Sequence, residues 1–192
     1  MRERRQSTKT KESLAAKESL AGQLLLAHPA MSDPNFGRTV VLISAHDDGG
    51  AMGVVLNRPL GKHLGELNGE FALGALSDVP VFQGGPVKTE QLLLAAWQFR
   101  TDGFKLYFGI EPDKAAQLRS DEGLHLRAFL GHSGWSRGQL ERELKRNTWV
   151  VTPVPGNLLQ HSEGVELWRT VLGSMGAGWK LLAGEPDDPA VN

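Results

Sequence analysis

"VVLISAHDDGGAMGVVLN", residues 40–57, decides the fold class of this chain. Two apolar runs of strand length flank His46-Asp47-Asp48-Gly49-Gly50, and Asp and Gly tolerate the positive φ of a tight reversal. Strands joined that closely run antiparallel if they pair, because a parallel return needs a crossover of a dozen or more residues. This local geometry argues against the strict βαβ alternation of a Rossmann fold.

Outward from the hairpin, further strand-length runs are separated by turn residues. They are "LLLAHP" from Leu24, "VPVFQ" from Val79, "QLLLAAW" from Gln91, "KLYFGI" from Lys105, "HLRAFLGH" from His125 and "TWVVTPV" from Thr148. Helical patterns are fewer. "ESLAAKESLAGQ", residues 12–23, favours a short helix ended by Gly22, and "PDKAAQLRS" from Pro112 has proline at a first-turn position. "SRGQLERELKRN" from Ser136 places Ser136 and Gln139 at capping-box spacing. It also puts Leu140 and Leu144 on one stripe, and Glu141 four residues before Lys145. "GVELWRTVLGSMG" from Gly164 repeats Leu167, Trp168, Val171, Leu172 and Met175 at helical spacing. Strands outnumber helices without regular alternation, which reads as α+β with a mixed, largely antiparallel sheet.

The 192 residues fit one domain, and the apolar (40%) and charged (22%) fractions are ordinary for a globular protein. With no cysteine, disulfides, thiolate zinc sites and thiol nucleophiles are excluded, and the composition fits a cytoplasmic protein. The longest apolar runs are far below a membrane span, and the N-terminal arginines lack the apolar stretch of a signal peptide. Residues 1–17 carry six Lys/Arg against two Glu, about +4, so the net charge of −1 leaves about −5 on the remainder. A basic tail on an acidic body is not a specific nucleic-acid surface, which needs a concentrated basic face. The expected organisation is a disordered basic tail at 1–17, one domain at 18–184 and a frayed tail at 185–192.

"FLGHSGWSRGQ" from Phe129 has the strand–turn–helix layout of a nucleophile elbow around Ser133. The elbow needs small residues two before and two after the serine. Gly131 satisfies the first, but Trp135 occupies the second, and no histidine and acid stand out as triad partners. The better reading is a structural corner made by Gly131 and Gly134, anchored by Trp135 in the core, with Ser136 capping the next helix. No dinucleotide or triphosphate glycine motif occurs, so no cofactor is expected. His46-Asp47-Asp48 is the closest approach to a metal set, and it reads as a solvated hairpin tip. Gly84-Gly85 in "QGGPV" reads as a strand reversal, with an anion nest as the alternative. Arg38 and Arg58 are the best anion-recognition candidates, since guanidinium forks match carboxylates and phosphates. Against that, Asp33 can simply cap a turn, and Arg58 can pair with a carboxylate such as Glu66.

In order and spacing, "LLLAHPAMSDPNFGRTVVLISAH", "GAMGVVLNRPL", "VFQGGPV" and "LGHSGWSRGQLERELKRNTW" make the chain resemble the AlgH/YqgE-like family over about residues 20–182. The resemblance implies a branched mixed sheet with a small barrel-like part, surrounded by helices, and no established enzyme activity. Some members carry a label of transcriptional regulator, which brings no DNA-binding motif. The family's usual corner is Gly-Tyr-Ala-Gly-Trp, so alanine stands where this chain has Ser133. The expectation is a non-catalytic regulatory or binding module for a small molecule or protein. Its candidate ligand residues are Arg38, Asn57, Arg58, Gly84, Gly85, His132 and Gln139. The alternative is a small-molecule hydrolase or transferase using a cleft near His132 and Arg58.

Overall fold

The computed structural model describes residues 19–101, 103–156 and 163–184. Both expected tails, and residues 12–18 of the expected first helix, lie outside them. The described remainder of that helix is not helical: Gly22, at φ +80°, sits in a turn leading directly into β1 (Gln23–Ala27). β1 pairs antiparallel with β2 (Val40–Asp47), which folds back on β3 (Gly50–Val55) in the register Asp47↔Gly50. Only Asp48 and Gly49 remain for the reversal, and Asp47 Oδ1 accepts from the Gly49 N–H at 2.7 Å. Residue by residue, the quoted stretch folds as its local chemistry requires.

The chain continues through β4 (Pro59–His63), α1 (Leu64–Leu67), β5 (Pro80–Gln83), β6 (Val87–Arg100), β7 (Gly103–Phe108) and α2 (Pro112–Leu118). It closes with β8 (Leu124–Ser136), α3 (Gln139–Lys145), β9 (Trp149–Pro153), α4 (Gly164–Ser174) and α5 (Ala177–Ala183). The strands form one branched sheet in the order β4-β5-β8-β3-β2-β1-β9, with β6 and β7 branching from β8. Only β5 and β8 pair in parallel. The fold is therefore α+β with a largely antiparallel mixed sheet, and the sheet is not closed into a barrel.

β8 is the branch strand. Residues 128–130 pair with β5 on one edge and with β6 on the other, and residues 133–136 pair with β3. Because β5 and β6 flank β8 on opposite edges, the link 84–86 must cross it. The crossing is backbone against backbone. A Cβ on Gly84 would overlap the Gly131 carbonyl oxygen, one on Gly85 the His132 carbonyl, and one on Gly131 would lie 2.6 Å from Gly85 O. Gly131, at φ +69°, kinks β8 where it exchanges partners. The expected corner at Gly131, Gly134 and Trp135 is thus a kink inside a continuous strand, because β8 has a β3 edge to pair with beyond it.

Side-chain alternation sends Leu24, Leu26, Leu42 and Val54 into one cluster with Leu167, Trp168, Val171 and Leu172 of α4. Leu25, Val41, Ile43 and Val55 enter a second with Leu140 of α3, Trp135 and Trp149. Continuous apolar strands usually mark parallel sheets; here an antiparallel core is covered by helices on both faces. Each fully buried aliphatic of this kind contributes about 1.5–3 kcal/mol. A third cluster gathers Leu64, Val81, Leu94 and Ala115 around β5 and α2.

Candidate functional site

The loop between β1 and β2 is fixed by its own polar groups. Asp33 Oδ1 accepts from the Asn35 N–H at 2.7 Å, and the Asp33 carbonyl accepts from Phe36 and Gly37. His28 Nδ1 accepts from the Ala30 N–H at 3.1 Å, and Thr39 Oγ1 donates to Phe36 O at 2.7 Å. At the end of the loop Arg38 takes φ +55°, a left-handed conformation uncommon for a residue with a side chain. Asn57 holds it there: its Nδ2 donates to Arg38 O and to Gly164 O at 2.9 Å each, and its Oδ1 accepts from the Val40 N–H at 2.9 Å.

Below Arg38 lies a half-open cleft of about 640 Å³ between this loop and the α4–α5 hairpin. Its walls are the 29–34 segment and Gly37 on one side, and Val165, Trp168 and Leu182 on the other. The Arg38 guanidinium sits 5.5 Å above the Trp168 ring, whose Nε1 donates to Ala27 O at 2.8 Å. Val165 and Leu182 are 40% and 38% exposed, so an apolar wall faces solvent there.

The other candidates fall elsewhere. Asn57 is 4% exposed, with both amide hydrogens donated and its oxygen occupied, so it orders backbone. Arg58 donates to Pro34 O at 3.0 Å; burial pushes its guanidinium down from the ordinary value while the Asp33 charge pushes it back up. Glu66, the alternative partner for Arg58, instead accepts from the His63 N–H at 2.6 Å. The "NRP" and "GGP" segments do meet, Arg58 beside Gly85 and Pro86, but in a crevice without room for a water molecule. Gly84 N–H donates to Leu130 O, and Gly84 O accepts from the Val55 N–H and from Ser133 Oγ at 3.2 Å. These glycines serve the crossing, and their polar groups turn inward. Ser133 is fully buried with its hydroxyl on that carbonyl.

His132 is half-buried, and its Nδ1 has no hydrogen-bond partner. Burial, and after it the charge of Lys88, holds its imidazole below the ordinary value. Gln139 belongs to a different constellation, centred on Glu143. Glu143 Oε2 accepts from Trp135 Nε1 and Trp149 Nε1 at 2.8 Å each, and Oε1 accepts from Gln139 Nε2 at 2.9 Å. Gln139 Oε1 in turn accepts from the Ser136 N–H and hydroxyl. Ser136 and Gln139 therefore bond as their spacing suggests, but Gly138 is the residue that precedes α3. His46 is no solvated tip: its Nδ1 accepts from the Leu20 N–H at 3.1 Å, and its Nε2 lies 3.5 Å from Glu141. Among the described residues no group of three His, Asp or Glu is arranged to hold a metal ion.

Two residues escaped the sequence reading. Glu143 looked like one more charge on an amphipathic helix. Arg127, 8% exposed on β8, lies between the Phe82 ring (4.3 Å) and the Trp97 ring (5.4 Å) and donates to Leu56 O at 2.9 Å. Burial lowers its pKa to about 10, with Glu163 opposing the shift.

Comparison with known proteins agrees with this architecture. A protein of Streptomyces coelicolor designated UPF0301 is 37% identical over 186 residues, covering 91% of this chain and 96% of the relative. The solution structure of the AlgH protein from Pseudomonas aeruginosa matches with a TM-score of 0.64 at 27% identity, over 91% of this chain and 98% of that one. The crystal structure of a Corynebacterium diphtheriae protein shares the fold at a TM-score of 0.68 and 23% identity, over 88% and 94%. The AlgH-like family model matches residues 24–180, and the chain belongs to that family.

Proposed function

We propose that this protein is a non-catalytic binding module of the cytoplasm, with a regulatory role exercised through a small molecule held in the cleft beneath Arg38. One observation carries the reading: an open space of about 640 Å³ combines a fixed guanidinium, an indole and exposed aliphatics. That volume suits a small organic ligand, and apolar walls with a few placed polar groups are the usual make-up of such sites. Acid–base chemistry has little support there. No described histidine lines the cleft, and Asp33, its carboxylate, is engaged by the Asn35 N–H. Among the described residues no helix is long and apolar enough to cross a membrane.

Native mass spectrometry of the chain purified rapidly from bacterial cells tests the reading. A small molecule retained near one equivalent, and lost in Val165→Arg, is the expected result. Conversion of a supplied compound into product, with no retained ligand, would contradict it.

A further inference from the structure

We propose that the ligand of this cleft is an organic monocarboxylate with an apolar body; the inference rests on the cleft being the binding site. Three features of the walls select that class. Arg38 supplies a delocalised cation whose stacking on Trp168 limits its motion, so little rotamer freedom is lost when a carboxylate binds its donors. Its backbone is held at φ +55° by Asn57, and strained residues over-determined by their surroundings cluster at ligand clamps. Asp33 shares the cleft but is tied to Asn35 and to the field of Arg58, so it offers a poor counter-charge for an amine. The same carboxylate repels a phosphate, which carries nearly two charges at neutral pH. Val165, Leu182 and the indole then give an apolar body a surface to cover.

The test is a titration of the full chain, followed by backbone amide NMR, with phenylacetate, phenylacetamide, phenethylamine, acetate and inorganic phosphate. Phenylacetate should shift the amides of residues 29–38 and 164–168 saturably, at least tenfold more tightly than any of the other four. In Arg38→Gln the difference between phenylacetate and phenylacetamide should disappear, while apolar binding persists. Asn57→Asp, which leaves Arg38 chemically intact, should weaken phenylacetate binding several-fold if the strained backbone matters. Equal or tighter binding of the amide, the amine or phosphate at these amides overturns the monocarboxylate assignment and leaves the cleft as the binding site. No shift at these amides from any compound overturns both.

Discussion

Glu143→Ala should be among the most damaging single changes outside the apolar core. The carboxylate accepts two indole N–H groups at 2.8 Å and the Gln139 amide at 2.9 Å. Trp135 and Trp149 are only 6% and 5% exposed, so water cannot easily replace the lost acceptor. Leaving a buried donor unsatisfied costs about 1–3 kcal/mol, and two indoles with partial water access put the loss at about 3–5 kcal/mol. Phe36 stacks on Trp135 (ring centroids 6.3 Å apart) and meets Trp149 edge-on at 5.5 Å, so loosening either indole also loosens the loop that ends at Arg38. Glu143→Gln keeps an oxygen for the indoles but turns an amide toward the Gln139 amide. One of the three bonds is then lost, for about 1–2 kcal/mol. Urea unfolding followed by tryptophan fluorescence measures both. A loss below 1 kcal/mol for Glu143→Ala, or equal losses for the two variants, would refute the hub.

Gly85→Ala should abolish folding or cost more than about 3 kcal/mol, since its Cβ meets the His132 backbone. Gly178→Ala in α5, where nothing lies within 4 Å, should instead raise stability by about 0.5–1 kcal/mol in the same chemical unfolding assay. Asn57→Ala should destabilise by about 3 kcal/mol through three lost buried bonds, read by calorimetry. The imidazoles of His125 and His132 are both held below the ordinary value, so the unfolded chain binds their protons more tightly than the folded one. Stability is then present above the unfolded pKa, near 6.5, and falls on acidification through the folded values. The melting temperature should drop between pH 7.5 and 5, and His132→Leu should make that drop shallower.

The sequence was most readable where structure is decided locally. The "DDGG" reversal needs only four residues, and the apolar stripes of α3 and α4 lie within single helices. β4 was illegible because all five of its residues are exposed, leaving no alternation to detect. The length of β8 was hidden for the opposite reason. Glycines that read as a corner in isolation lie in a strand because β3, some eighty residues earlier in the chain, pairs with it. The cleft combines both difficulties. Arg38 was legible as a cation at a strand end, but Trp168 read as one more member of a core stripe, and only the tertiary fold puts the two 5.5 Å apart. Asn57, Gly84 and Gly85 stood out for a real reason, which was backbone order rather than ligand contact.

Because the chain has no cysteine, the cleft can be probed by a single introduced thiol. Ser32 is exposed on the cleft wall, and Leu73, fully exposed, serves as a control away from it. The measurement is the rate of iodoacetamide labelling of Ser32→Cys and of Leu73→Cys, with and without a thiol-free small-molecule fraction of bacterial cells. The account predicts at least tenfold slower labelling at position 32 with the fraction present and no change at position 73. Equal rates at position 32 with and without it would contradict the claim that this cleft is where the protein binds.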